Sequence, residues 1–158
     1  MNRTLSTELQ RMSNQVTLRP CRLSDLGRVM EIENESFTDP YPWAEFATHL
    51  LLHRRGFVVA CADGEVVGYV LVAREVGGEG WVRSIAVVPL CRRSGVGTAL
   101  MRAAMASLAG CDRVSLLVRK SNGAAMALYR KFSFRETGVI ERYYPDGEDA
   151  LKFQYTPN

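Results

Sequence analysis

Apolar and polar positions along the chain change period several times, and each change marks a predicted element. "QVTLRP" alternates and ends in proline, which predicts a short strand. Leu26, Val29, Met30 and Ile32 share one helical face, with Ser24 and Asp25 before them as candidate N-caps. "FTDPYP" ends that helix, because the residue before a proline disfavours the helical region. A second helix is predicted from Trp43 to His53. "GFVVACADGEVVGYVLVARE" reads as a hairpin whose apolar strands flank Asp63-Gly64, a pair that prefers a type I′ turn. "WVRSIAVVP" predicts a strand, "RRSGVGTALMRAAMASLAG" a turn and a helix closed by Gly110, and "RVSLLVR" the next strand. "SNGAAMALYRKF" predicts a helix capped at Ser121 or Asn122. "FRETGVIERYY" and "EDALKFQY" are the last two strands, joined by Pro145-Asp146-Gly147. The order β-α-α-β-β-β-α-β-α-β-β is that of an α/β domain with a mixed sheet and helices on its faces.

The 158 residues predict one domain with one sizeable core. Residues 1–14 carry no apolar h-region and are expected to be a polar extension, leaving 15–158 as the domain. No apolar run approaches the ~20 residues of a membrane span, so no membrane partner is expected and the expected location is the cytoplasm. The net charge of +3 is too small to argue for DNA. Its basic residues are 17 Arg and only 3 Lys, and arginine is the better fork for phosphate. The cysteines at 21, 61, 91 and 111 have no metal-ligand spacing and are expected as small buried hydrophobes. Cys91, beside the glycine turn, is the one to check for reactivity. His49 and His53 stand four apart without a third ligand, so no metal is expected.

"PLCRRSGVGTALM" carries the most chemistry. It lacks the GxxxxGK[ST] of a P-loop and the third glycine of a dinucleotide fingerprint. A turn that bends straight from strand to helix leaves the first-turn N–H groups without intrahelical partners. They converge at the positive helix end and suit a phosphate. The local residues fit both such a cradle and an ordinary strand–helix connection.

Three further stretches decide between them. "RRSGVG" resembles the [QR]-x-x-G-x-[GA] signature of the GNAT superfamily of acetyl-CoA-dependent N-acetyltransferases. With "VRKSN", "ALY" and "YYPDGEDA" following in order, the chain resembles the N-terminal protein acetyltransferases, the RimI type and its archaeal and eukaryotic relatives, from Val16 to Phe153. The resemblance implies a single GNAT-like domain in which the strand holding "SIAV" splays from the parallel strand "SLLVR". It implies that acetyl-CoA lies in that gap, held by backbone groups of Ile85, Ala86 and Val87. The amides of Arg93, Ser94, Gly95, Val96, Gly97 and Thr98 would cradle its pyrophosphate, with Arg92 and Arg93 adding charge. Asn122, Tyr129, Arg130 and Lys131 would border it. Protein N-termini are the implied substrates, with ribosome or ribosomal-protein association. Phe37, Tyr41, Tyr143 and Tyr144 would form the peptide slot. In a regular strand Tyr143 and Tyr144 would turn to opposite faces.

Acetyl transfer to an amine needs an acid for the leaving thiolate and a path for the amine's proton. The resemblance points to Tyr129 as the acid. Relatives place a base where this chain has Leu117 or Trp81, neither of which takes a proton. An α-amine of pKa 7.7–8.0 is already on the order of 10% neutral at pH 7, against about 0.04% for a lysine. A carboxylate reached through water would suffice, and Glu35 and Asp39 are the candidates. Acetylation of a small amine or lysine, or coenzyme binding without catalysis, are the competing expectations for the same fold.

Overall fold

The computed structural model describes residues 15–158; residues 1–14, expected as a polar extension, lie outside the described residues. Its strands are β1 (Thr17–Pro20), β2 (Phe57–Ala62), β3 (Glu65–Arg74), β4 (Glu79–Val87), β5 (Arg113–Arg119), β6 (Arg135–Ile140) and β7 (Ala150–Tyr155). The helices α1 (Leu26–Ser36), α2 (Trp43–Leu52), α3 (Val96–Ser107) and α4 (Gly123–Lys131) fall between them in the expected order. The strands form one sheet ordered β1-β2-β3-β4-β5-β7-β6. Every neighbouring pair is antiparallel except β4 with β5. None of the described helices is long and apolar enough to cross a membrane.

Helices cover both faces of the sheet, so β3 is buried along almost its whole length rather than alternating. On one face Leu26, Val29 and Ile32 of α1 and Phe46 and Leu50 of α2 pack over Val59, Tyr69 and Leu71. On the other, Leu100, Met101 and Ala104 of α3 and Tyr129 of α4 pack over Val70, Val82, Leu116 and Phe153. The β2–β3 turn has φ 51° at Asp63 and 80° at Gly64, as a type I′ turn requires. Gly110, with φ 87°, follows the end of α3.

Two local expectations fail for identifiable reasons. Asp25 does not cap α1 with its side chain; residues Leu23–Asp25 make a 3-10 turn first. Its carboxylate faces back to Arg19, whose two terminal nitrogens donate to it at 2.6 and 2.9 Å, and to the Arg22 amide at 2.7 Å. A bidentate guanidinium outbids a lone helix amide. The last hairpin is also shorter than predicted. Arg142 takes φ 50° and its N–H donates to Asp149 Oδ1 at 3.0 Å, which turns the chain out of the strand after Ile140. Tyr143 and Tyr144 therefore lie in the β6–β7 loop, free of strand alternation.

The parallel β4–β5 pairing is brief. It joins Glu79 with Arg113, Gly80 with Val114 and Trp81 with Ser115, and then stops. Two residues later the β3–β4 register slips, leaving Arg83 as an extra residue between Val82 and Ser84. Such a bulge bends its strand. From Val82 onward β4 diverges from β5, and the expected splay is present.

Leu100, fully buried, anchors α3 beneath this divergence. Truncating it leaves a cavity that neighbouring β-strands cannot close. Leu100→Ala is expected to lower stability by about 2–5 kcal/mol in denaturant titration, with an unchanged m-value.

Candidate active site

The splay exposes backbone. Val88 N–H donates to Val67 O at 2.8 Å, and the register pairs Val87 with Gly68, Ala86 with Tyr69 and Ile85 with Val70. Hydrogen-bonded and non-bonded pairs alternate in an antiparallel ladder. The amides and carbonyls of Ile85 and Val87 therefore point away from β3, into the gap, whereas those of Ala86 are directed to β3. At the end of β4 the chain turns through residues 89–95 into α3. None of the six amides from Arg93 to Thr98 donates to an acceptor among the described residues. They ring the N-terminus of α3, the positive end of its dipole.

Glycine at 95 is required by geometry: φ is 89°, a left-handed conformation that other residues rarely take. A Cβ there would meet no protein atom within 4 Å, so the space above the turn is open. Arg93 shares the left-handed conformation at φ 60°. Arg92 Nε donates to Val87 O at 2.9 Å, tying the turn to β4, and the Ser94 hydroxyl donates to Cys91 O. Asn122 accepts the Ala125 N–H at 3.2 Å with Oδ1, capping α4 and leaving its amide NH2 free to donate. Arg130 and Lys131 are exposed at the end of α4. The open gap and the unpartnered amides fit an extended thioester arm and a pyrophosphate. Cys91 is buried, and burial pushes its thiol up, so it is an inert packing residue.

Tyr129 projects from α4 into the cluster beneath the gap, against the rings of Phe134 and Phe153. It is buried, and desolvation pushes its phenol well above the usual tyrosine range, so it stays protonated at neutral pH.

A separate group of polar residues lies on the other face, around the α1–α2 loop. The buried carboxylate there is Glu33, two residues before Glu35, one of the two candidate proton acceptors. Glu35 is exposed. Glu33 is 1% exposed and accepts from the Tyr69 hydroxyl, from Ser84 Oγ at 3.1 Å and from the Tyr41 amide at 3.0 Å. Burial and the adjacent Glu33 charge drive the Tyr69 phenol far up. Glu33 thus fixes where the loop carries Tyr41, whose ring stands edge-on to Phe46 at 6.4 Å. The helical stripe holds the signal for Glu33, since it continues the buried face of Val29 and Ile32. Phe37 is half-buried where α1 ends. Asp39 is held by Arg119, whose NH2 donates to Oδ1 at 2.6 Å. Across the opening, Tyr143 and Tyr144 pack edge-to-face at 5.0 Å. Burial pushes the Tyr144 phenol up to about 12.

Trp81 and Leu117 stand on this same face at the vertex of the splay. Lys152, opposite Leu117 on β7, places Nζ 5.4 Å from the centre of the Trp81 ring, and the Arg83 guanidinium lies 5.2 Å from it. The indole N–H of Trp81 is buried with no acceptor among the described residues.

A family model described as "Acetyltransferase (GNAT) family" matches residues 26–134. An N-alpha-acetyltransferase of Sulfurisphaera tokodaii is 39% identical over 147 residues, covering 84% of this chain and 88% of that protein. The crystal structure of Ard1 from Thermoplasma volcanium superposes with a TM-score of 0.86 at 28% identity, over 90% of this chain and 97% of that one. The ribosomal-protein-S18-alanine N-acetyltransferase of Escherichia coli superposes with a TM-score of 0.78 at 28% identity, over 89% and 93% of the two chains.

Removing the Glu33 carboxylate leaves the Tyr69 and Ser84 hydroxyls, 3.0 Å apart, with only each other, and strands the Tyr41 amide. Glu33→Ala is expected to destabilise by about 3 kcal/mol in chemical denaturation, with Glu33→Gln, which keeps an acceptor, costing less. On the opposite loop, hydrogen bonds from Ser121 and Arg119 hold the Glu148 carboxyl down to about 2. Its folded value is depressed, so its contribution is complete above the ordinary carboxylate range and is lost as pH falls through about 2. Carboxyl-detected NMR titration should find that midpoint, with the Ser121 amide contact intact at pH 3.5.

Proposed function

The chain belongs to the acetyltransferase (GNAT) family, and from that membership and the layout of the site we infer that it transfers the acetyl group of acetyl-CoA to the N-terminal α-amine of a protein or peptide. The observation that carries this is the early end of β4–β5 pairing above the six unpartnered amides of residues 93–98. Acetyl-CoA supplies the activated acetyl group. Ile85 and Val87 would bind its pantetheine arm through the backbone groups turned into the gap, with the Val87 amide directed at the thioester carbonyl. The amides of Arg93, Ser94, Gly95, Val96, Gly97 and Thr98 would hold the pyrophosphate, with Arg92 and Arg93 at its rim. Asn122, Arg130 and Lys131 would lie along its outer side.

Tyr129 would donate the proton that the departing thiolate needs; its buried, protonated phenol suits an acid and not a base. The amine's own proton has an easier route. An α-amine gives up its proton near neutral pH, so water leading past the vertex toward Asp39 would suffice, and the side chains of Leu117 and Trp81 take no part in it. Phe37, Tyr41, Tyr143 and Tyr144 would line the slot that admits a chain terminus. The N-terminus of a ribosomal protein is the substrate class we favour, since one structural neighbour is named for that activity. Four free cysteines suit a reducing compartment, and we place the reaction in the cytoplasm.

The test is incubation with acetyl-CoA and a panel of peptides that includes ribosomal-protein N-termini, read by mass spectrometry. Acetylated α-amines with untouched internal lysines are expected. Modified lysines or small amines with untouched N-termini would contradict the assignment. In the same assay Tyr129→Phe should lower kcat by about 100-fold or more while CoA affinity stays within a few-fold.

A further inference from the structure

We propose that Arg119 is a positioning residue that clasps together the two loops of the peptide slot and so sets peptide affinity without touching the reacting atoms. The proposal rests on the reading that those loops, 37–42 and 141–149, receive the peptide. Arg119 is the last residue of β5, and its backbone neighbour across the sheet is the fully buried Ala150 of β7. The base of the clasp is therefore rigid, and its arms are loops.

The guanidinium divides its nitrogens between them. One terminal nitrogen, NH2, donates to Asp39 Oδ1 at 2.6 Å and Thr38 Oγ1 at 3.1 Å, both in the α1–α2 loop. The other, NH1, donates to Asp146 Oδ2 and Glu148 Oε2, each at 2.8 Å, in the β6–β7 loop. The Tyr144 ring covers its face, 4.0 Å from the guanidinium carbon. Glu148 extends the network by accepting the Ser121 amide at 2.8 Å, ahead of α4. Among the described residues no other hydrogen bond or ion pair joins residues 37–42 to residues 141–149.

Isolated surface ion pairs contribute little, but a network on a planar fork with a covered face is the case in which they count. The Arg119 side chain is only 16% exposed. Tyr41 follows Asp39 by two residues, and Tyr143 and Tyr144 precede Asp146. Glu33 anchors the Tyr41 wall from inside, and Arg119 is the side chain that ties the two aromatic walls to each other. A lysine has a single nitrogen and cannot serve two loops in one plane while stacking on a ring.

The test compares Arg119→Met and Arg119→Lys with the unaltered protein. Arg119→Met should raise the peptide KM about tenfold or more, the loss of one charge-assisted contact set, while the Kd for CoA and kcat at saturating peptide change by less than about threefold. Arg119→Lys should recover part of that loss. An unchanged peptide KM, or an equal loss of CoA affinity, overturns the proposal. Asp146→Asn, which weakens the β6–β7 arm only, should also raise KM and leave the pH profile of kcat in place; a lost pH limb would overturn a purely positioning role. Amide exchange reads the clasp even without turnover. The Tyr41 and Tyr144 amides should both exchange faster in Arg119→Met, and unchanged exchange at either overturns the clasp whatever the fate of the acetylation assay.

Discussion

Parallel pairing between β4 and β5 lasts three residues, and the rest of the site depends on its ending there. A backbone N–H or C=O left without a partner away from water is costly, so native chains rarely leave one. Here Ile85 turns its amide and carbonyl, and Val87 its amide, into a widening gap, while Arg92 takes up the Val87 carbonyl, and the turn that follows adds the free amides of residues 93–98. Those groups are tolerable because the gap is open, and they are useful because a ligand with an extended amide arm and a phosphate can satisfy them. The Arg83 bulge supplies the bend, and the left-handed Gly95 aims α3 back at the opening.

The same divergence divides the labour between the faces of the sheet. α3 and α4 lie on one side with the cradle and Tyr129. α1, α2 and the α1–α2 loop lie on the other, where Glu33 inside and Arg119 outside hold the loop at two points. Both are charged groups used for placement. Glu33 is tolerable in an apolar cluster because three donors satisfy it, and Arg119 because acceptors from two loops surround it.

Much of this was legible in the sequence where the deciding physics is local. The Asp63-Gly64 turn, the extents of α3 and β5, and the glycine turn all follow from residues adjacent in the chain. The placement of Glu33 rather than Glu35 in the interior was written in the helical stripe but obscured by three glutamates at alternate positions. The commitments of Asp25 and Asp39 were not legible, because Arg19 and Arg119 reach them from other elements. Nor was the position of Tyr143 and Tyr144, since an alternating pattern continues past Ile140 and only the Arg142–Asp149 contact shows that the strand has ended. Lys152 beside Leu117 and Trp81 depends on strand register across β5 and β7, which no local pattern encodes.

On the proposed reading, the open backbone of the splay and of the α3 turn receives the coenzyme. Residue-resolved amide hydrogen exchange with and without CoA tests it most directly. Strong protection should appear at Ile85, Val87 and Arg93 to Thr98 and leave Ala86, already turned to β3, unchanged. Binding without protection at those amides, or protection centred on the α1–α2 and β6–β7 loops, would contradict the account.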